Sequence, residues 1–365
     1  MKILPIYTKS KKYNIYIGNN IVAQFNKIIK KEKISFKKSL IIVDKNVPKK
    51  YLNKIYTKIK CEKKLIFYFD SSEKNKNLNY INSIFKELFK NNFSRKDVLI
   101  CLGGGIAGDV SGFVASIYKR GLKFINIPST LLSQVDSSIG GKTGVNNKFG
   151  KNLIGSFNQP DLVISDTLLL KSLPKREIIC GYAEILKHSL IKNRKLFFFL
   201  DKNLKNILEL KKNFIEKAII ESCIIKKKIV EKDEKEINLR KSLNLGHTFG
   251  HAYEATLNYS KKLNHGEAVL YGILSATKFS NKFNFLNKYD YELIISHLSK
   301  LGFVNLNKFF KKKDLKKIVN FMITDKKNDR KKINLITLKR IGNVNILNQF
   351  SVIKVKKFIN SQLIK

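Results

Sequence analysis

The chain is 365 residues long, enough for two domains of ordinary size, and its 43% hydrophobic content excludes a disordered or purely solvating polypeptide. Lys and Arg number 72 against 28 Asp and Glu, a formal net charge of +44, but the lysines are spread through KKYN, VPKKY, CEKK, FKKKDLKK and DRKKI. They form neither a tail nor a stripe with interleaved aromatics, so the excess reads as compositional drift with incidental polyanion binding, and no specific nucleic-acid partner is expected.

The opening MKILPIYTKSKK has no apolar stretch of useful length, and no later run approaches a membrane span. This predicts a cytoplasmic protein with no membrane partner. Four scattered cysteines (Cys61, Cys101, Cys180, Cys223) lack any CxxC pairing; they read as reduced core residues, and none is a candidate nucleophile.

In chain order, short β-branched runs alternate with helical patterns. Ser39–Val43 ends at Asp44, Lys64–Phe69 ends at Asp70, and Asp97–Leu102 ends at a glycine cluster; Phe124–Ile127 and Leu162–Ile164 continue the series. Amphipathic stretches such as Asn79–Phe89 lie between them, which predicts parallel βαβ units in a doubly wound sheet. From Lys175 to about Phe285 the pattern is mainly helical. A mixed helical stretch follows to Phe321, then short strands near Ile333–Leu338. The expected fold is an α/β, Rossmann-like nucleotide-binding domain over 1–172 plus a mostly α-helical C-terminal domain over 173–365. Ligands of such sheets bind at the carboxyl ends of the strands.

Cys101–Asp109 reads CLGGGIAGD, with Gly103, Gly105 and Gly108 satisfying GxGxxG after a strand. Glycines there admit a pyrophosphate to the backbone, and a helix N-terminus can face its charge. The ribose-binding acid usual about 20 residues downstream is missing. Asp44, at an upstream strand end, can reach a ribose hydroxyl if neighbouring strands form the cleft. Gly141–Thr143 imitates the end of a P-loop, but that motif needs glycine at position 136, where Asp136 stands.

Five histidines occur in all, and three fall between 247 and 265. In RKSLNLGHTFGHAYE, Arg240, Asn244, His247, His251 and Glu254 are spaced 4, 3, 4 and 3, so a single helix would place them on one face, among Leu243, Leu245, Phe249 and Ala252. Such a polar stripe beside core residues costs desolvation unless it meets ligands. With His265 in NHGEAV and Glu184 in REIICGYAEILKHSL, the set offers the three His or carboxylate ligands of a catalytic divalent site. Lys187 and His188 share the Glu184 side of that helix, where Glu184 also has the reading of an ordinary salt-bridge partner. HTFGH is not HExxH, which removes the zinc-protease reading.

The run GGGIAGDVSGFVASIYKRGLKFINIPSTLLSQVDSSIGGKTGVNNKFGKNLIGSFNQP, followed in order by GYAEILKHSLI, LNLGHTFGHAYE and HGEAV, resembles the signature of the 3-dehydroquinate synthase family, within the sugar phosphate cyclase superfamily. The likeness extends over nearly the whole chain. It implies an NAD- and zinc- or cobalt-dependent shikimate-pathway lyase that turns 3-deoxy-D-arabino-heptulosonate 7-phosphate into 3-dehydroquinate and phosphate. By the same resemblance Glu184, His247 and His265 are metal ligands. Asp44, Glu73, Lys76, Gly104, Gly105, Asp109, Ser129, Thr130, Lys142 and Lys151 contact the cofactor. The catalytic set is His251, Lys142, Lys187, Arg240 and Asn244. Arg120, Asp136, Asn152, Lys226, Lys326 and Lys327 serve the substrate, with Arg120 reaching a neighbouring subunit's substrate phosphate in a homodimer. Ser129 keeps a hydroxyl where the family usually has threonine, and SSEKNK at 71–76 departs from the usual acidic, glycine-containing turn. Rival readings are another sugar phosphate cyclase, such as an inosose or valiolone synthase, or a metal-dependent polyol dehydrogenase. Lys142, Arg240, Asn244, Lys326 and Lys327 favour a carboxylated substrate.

Overall fold

The computed structural model describes residues 1–324 and 332–363, which leaves Lys326 and Lys327 outside the described residues. The chain forms two compact units, Met1–Gly181 with Asn206–Lys235, and Tyr182–Lys205 with Glu236–Lys365. It crosses from the first to the second between Gly181 and Tyr182, inside one helix, and returns for the segment around residues 206–235.

The first unit contains strands β1 (Lys2–Tyr7), β2 (Lys12–Gly18), β3 (Lys38–Asp44), β4 (Lys63–Phe69), β5 (Val98–Gly103), β6 (Lys123–Pro128), β7 (Lys142–Asn147), β8 (Gly150–Phe157) and β9 (Leu162–Asp166). Its helices are α1 (Phe25–Lys31), α2 (Lys49–Tyr56), α3 (Leu78–Lys90), α4 (Gly105–Ile117), the start of α5 (Lys175–Lys192), and α8 (Lys212–Lys232); α6 (Arg194–Lys202) and α7 (Leu204–Leu208) intervene in sequence. Seven strands form one sheet in the order β1-β2-β9-β6-β5-β3-β4, and only the β1–β2 pair is antiparallel. The five parallel runs expected from the sequence are β3, β4, β5, β6 and β9. The β1–β2 hairpin and the separate β7–β8 hairpin were not foreseen.

Alternation along the central strands explains the two-sided core. Ile41, Val43, Ile100 and Leu102 enter one cluster with Tyr51, Leu52 and Ile55 of α2, while Leu40, Ile42, Leu99 and Cys101 enter another with Ile81, Ile84 and Leu88 of α3. Both faces are covered, so the strands read as continuous apolar runs. Burying each such side chain contributes roughly 1.5–3 kcal/mol. The order of strand connections reverses between the parallel neighbours β3 and β5: β3 leads outward to β4, while β5 leads the other way to β6 and then β9. Asp44 closes β3 and Gly103 closes β5, so both lie at this switch point, where ligands of open parallel sheets bind.

The second unit holds the remainder of α5, α6, then α9 (His247–Thr256), α10 (His265–Lys282), α11 (Lys288–Lys300), α12 (Leu315–Ile323), the antiparallel hairpin β10 (Lys332–Arg340) and β11 (Asn343–Ser351), and α13 (Val352–Gln362). Helix α10 is buried on every side and starts in a capping box between Asn264 and Glu267. Against it α9 packs at backbone contact. A Cβ on Gly272 would fall 1.9 Å from the Gly246 carbonyl oxygen, and one on Gly250 would fall 2.8 Å from that of Ala268. Only hydrogen fits at those crossings.

Among the described residues no helix is long and apolar enough to cross a membrane. All four cysteines are free thiols; Cys101, Cys180 and Cys223 are buried and Cys61 is half-buried.

Candidate active site

In the first unit the glycine turn is a packing device as well as an opening. Gly103 ends β5, and a Cβ there would lie 2.6 Å from Ala107 Cβ and 3.1 Å from Asp44 Cβ. Ala107 belongs to the first turn of α4, so glycine is what lets strand, helix and Asp44 meet. The Ser129 amide donates to the Gly103 carbonyl at 2.9 Å, and Thr130 lies against Gly104. Asp44 therefore stands beside the turn. It is buried, and its carboxylate accepts from the Asn46 amide at 2.9 Å.

A second cluster adjoins this edge. Lys76, 4% exposed, donates to Asp109 at 2.5 Å and to Asn152 Oδ1 at 2.6 Å. Burial pushes the Asp109 carboxyl up while the Lys76 ammonium pulls it down, and burial is the larger effect. Glu73 accepts from Asn146 Nδ2 at 2.7 Å and pairs with Lys151 at 3.5 Å, tying the SSEKNK segment to the β7–β8 hairpin. Five expected residues (Glu73, Lys76, Asp109, Lys151, Asn152) are thus brought together. Asp136 lies in a π-turn at Ser133–Ser137, where Lys226 of α8 donates to its carboxylate at 2.6 Å. Lys142 opens β7 and is exposed. Arg120 is exposed on a turn where Lys119 (φ 47°), Arg120 (φ 64°) and Gly121 (φ 133°) all take positive φ.

In the second unit the expected single helix through Arg240–Glu254 does not form. Leu239–Asn244 is a short 3₁₀ turn, Leu245 is not helical (ψ 124°), and Gly246 is left-handed (φ 79°) before α9 begins at His247. The break is forced by the close passage of Gly246 over Gly272. His247, His251 and Glu254 still share a face of α9, whereas buried Arg240 and half-buried Asn244 come from the preceding turn. Asn244 Nδ2 donates to Glu236 at 3.0 Å and to the Lys241 carbonyl at 3.1 Å.

Glu184 and Lys187 are each 1% exposed and form an ion pair across one turn of α5; His188 is fully buried beside them. His247 Nε2 lies 3.6 Å from Glu184 Oε1, and its Nδ1 lies 3.3 Å from the Leu245 carbonyl oxygen. A carbonyl only accepts, so Nδ1 carries the proton and Nε2 keeps its lone pair. Burial, followed by the positive charge of Lys187, holds His247 well below the usual histidine pKa, which keeps it neutral and able to ligate. The His265 ring is centred 5.7 Å from that of His247, and His251 stands 5.2 Å from His247. One donor atom from each of Glu184, His247 and His265 lies within 4.8 Å of the others, so the group can hold a metal ion. A carboxylate with two imidazoles suits a divalent first-row metal and leaves positions open.

Sequence reasoning passed over some neighbours. Ser137 Oγ would lie 3.1 Å from a Cβ on Gly105, and Glu236 orients Asn244. Neither carries a motif of its own, and only three-dimensional contact reveals them. Glu254 lies in the polar stripe of α9 without a motif that marks its function, and its carboxylate meets His265 Nδ1 at 3.0 Å.

Fold and side chains together define a two-unit α/β enzyme with a candidate ligand site at the strand ends of one unit and a metal-competent His/Glu centre in the other. Residues 66–180 match the 3-dehydroquinate synthase N-terminal family and residues 181–328 the 3-dehydroquinate synthase C-terminal family. A 3-dehydroquinate synthase of Pelagibacter ubique is 56% identical over 363 residues, covering 99% of both chains, and that of Dictyoglomus thermophilum is 43% identical over 98% of both. A crystal structure of 2-deoxy-scyllo-inosose synthase, solved with carbaglucose-6-phosphate, NAD+ and Co2+, superposes with a TM-score of 0.88 at 25% identity, covering 99% of this chain and all of the other. The chain belongs to the 3-dehydroquinate synthase family.

Proposed function

We propose that Glu184, His247 and His265 would hold one divalent metal, zinc or cobalt, and that Asp44, Glu73, Lys76, Gly104, Gly105, Asp109, Ser129, Thr130, Lys142 and Lys151 would hold NAD at the carboxyl ends of the strands. The donor set supports the first statement, and the place of the glycine turn at the sheet's switch point supports the second. The related inosose synthase, crystallised with NAD+ and Co2+, supports both. The activity is that of a 3-dehydroquinate synthase. It converts 3-deoxy-D-arabino-heptulosonate 7-phosphate to 3-dehydroquinate and phosphate by transient oxidation, phosphate elimination, re-reduction and intramolecular aldol closure.

Bound NAD supplies a reversible hydride acceptor, and the divalent ion supplies the Lewis acidity that makes a substrate hydroxyl acidic. His251, exposed one turn beyond His247, takes or relays that proton. Lys187 neutralises Glu184 and adds positive charge beside the reacting oxygens. Arg240, Asn244 and Lys142 complete the catalytic set, with Asn244 held in place by Glu236. Lys226, Asp136 and Asn152 bind substrate, and Lys326 and Lys327 join them from outside the described residues. Cations near the leaving phosphate stabilise its charge by bidentate or charge-assisted hydrogen bonds.

The same proposal takes the protein as a cytoplasmic homodimer in which Arg120 serves the neighbouring subunit's phosphate. Two consecutive left-handed non-glycine residues cost on the order of 1 kcal/mol each, and such outliers cluster where function fixes them. Here Arg95 Nε donates to the Lys119 carbonyl at 2.6 Å and holds the turn.

The observation that carries the reading is the meeting of Glu184, His247 and His265, 81 residues apart at the extremes, in a chain matching the family end to end. Phosphate release from the heptulosonate phosphate with catalytic NAD+ tests it. Release abolished by EDTA, restored by Co2+ or Zn2+ and accompanied by no net NADH is expected. No release with metal and NAD+ restored overturns it.

A further inference from the structure

A histidine that ligates a metal through one ring nitrogen is oriented by what the other nitrogen donates to. The two histidines of the Glu184 centre meet this requirement differently. His247 donates from Nδ1 to the Leu245 carbonyl, so the chain just before α9 sets its tautomer. His265 is the first residue of α10 and its side chain is 37% exposed, so burial alone does not fix its ring. Its Nδ1 instead lies 3.0 Å from Glu254 Oε2.

Glu254 is on α9, three residues past His251 and seven past His247, and is 8% exposed. Its neighbours on either side, Tyr253 and Ala255, are buried too. A carboxylate is costly in such a place unless it is hydrogen-bonded, and accepting from an imidazole N–H offsets that cost. We infer that Glu254 is the positioning residue of His265: it accepts the Nδ1 proton, fixes the tautomer that leaves Nε2 as the ligating atom, and raises the basicity of that nitrogen. The close α9–α10 crossing at Gly250 and Gly272 brings carboxylate and ring within reach. The inference rests on reading Glu184, His247 and His265 as the metal centre. The competing arrangement makes Glu254 itself a ligand, because donor atoms of His251, Glu254 and His265 also lie within 4.8 Å of one another.

Co2+ affinity by chelator competition, the visible spectrum of the bound Co2+, and the melting temperature of the metal-free protein decide between these. They are measured on the full chain and on Glu254→Gln, Glu254→Ala and His247→Ala. A second-sphere carboxylate is worth roughly 10- to 100-fold in metal affinity. Glu254→Ala is expected to lose that much, and Glu254→Gln less, since its amide oxygen still accepts the proton. The Co2+ spectrum stays as in the parent, and the Gln variant keeps the metal-free melting temperature. Unchanged affinity in both Glu254 variants, with binding lost in His247→Ala, overturns the inference and leaves the metal centre standing. An altered Co2+ spectrum in Glu254→Gln overturns it in favour of a direct ligand. An affinity loss seen only in Glu254→Ala, and matched by a lower metal-free melting temperature, overturns it in favour of simple packing. Undiminished Co2+ binding in His247→Ala removes the metal centre and the inference with it.

Discussion

The strand-end cluster of the first unit and the histidine cluster of the second both depend on glycine, but they use it for different ends. In the first, Gly103 lets β5, α4 and Asp44 meet, and position is inherited from strand register: Val43 pairs with Leu102, so the residues just beyond them emerge together. In the second, Gly246, Gly250 and Gly272 bring two helices into backbone contact, and position is inherited from a helix crossing. Register is enforced by many hydrogen bonds, whereas a crossing depends on a few atoms. The ligand geometry of the second unit is therefore the more vulnerable to small changes in volume.

The sharpest break in the comparison removes a proposed metal ligand. Glu184→Ala should lower kcat/KM about 10³-fold, the equivalent of about 4 kcal/mol of transition-state stabilisation, and leave NAD affinity unchanged. Phosphate-release kinetics and a fluorescence titration of NAD read the two effects, and a parallel loss of NAD binding would show that the units are not separable in this way. Next comes the crossing itself. Gly272→Ala places a methyl 1.9 Å from the Gly246 oxygen, which must force α9 and α10 apart. Overpacking of this kind costs typically 1–3 kcal/mol. The urea midpoint should fall and Co2+ affinity with it, while NAD affinity holds. Gly103→Ala is the mirror experiment. Its methyl would sit 2.6 Å from Ala107 Cβ, so about 1–2 kcal/mol of stability and some NAD affinity should be lost, with Co2+ affinity retained. Equal loss of both ligands in either glycine variant would contradict the division of labour.

The same difference explains what could be read from the sequence. The parallel strands were legible because each is a short apolar run ending in Asp or Gly, and a strand–turn–helix site is local in the chain. β1 and β2 escaped because Pro5, Asn14 and the lysines interrupt their alternation, and the β7–β8 hairpin because it is mostly polar. The candidate metal centre was legible as residue types, through the scarcity of histidine and the spacing of His247 and His251. The helix break at Gly246 was not. Its cause is contact with Gly272, 26 residues away, and no local propensity reports a contact of that kind. The pairing of Glu254 with His265 was hidden for the same reason.

The smallest predicted effect concerns the acid sensitivity of the second unit. In the second unit a polar chain fastens three helices: Tyr182 of α5 donates to His297 Nε2 at 2.8 Å, and His297 Nδ1 of α11 meets Asp201 of α6 at 2.8 Å, with Lys300 at 2.7 Å from the same carboxylate. The hydrogen bond from His297, aided by Lys300 and opposed by burial, lowers the Asp201 carboxyl from an ordinary value of 3.8 to about 2. Because the folded value is the lower one, the unfolded chain takes up this proton first as the pH falls. The contribution is therefore complete above about pH 4 and is lost as the pH drops through about 2. Asp201→Asn should cost about 1 kcal/mol at pH 7, a figure kept low because the carboxylate is partly exposed and screened. The gap between variant and parent urea midpoints should narrow as the pH is taken below 4. A gap that stays constant from pH 7 to pH 3 would mean that Asp201 acts through packing and that the anchoring of α5, the helix carrying Glu184, owes nothing to its charge.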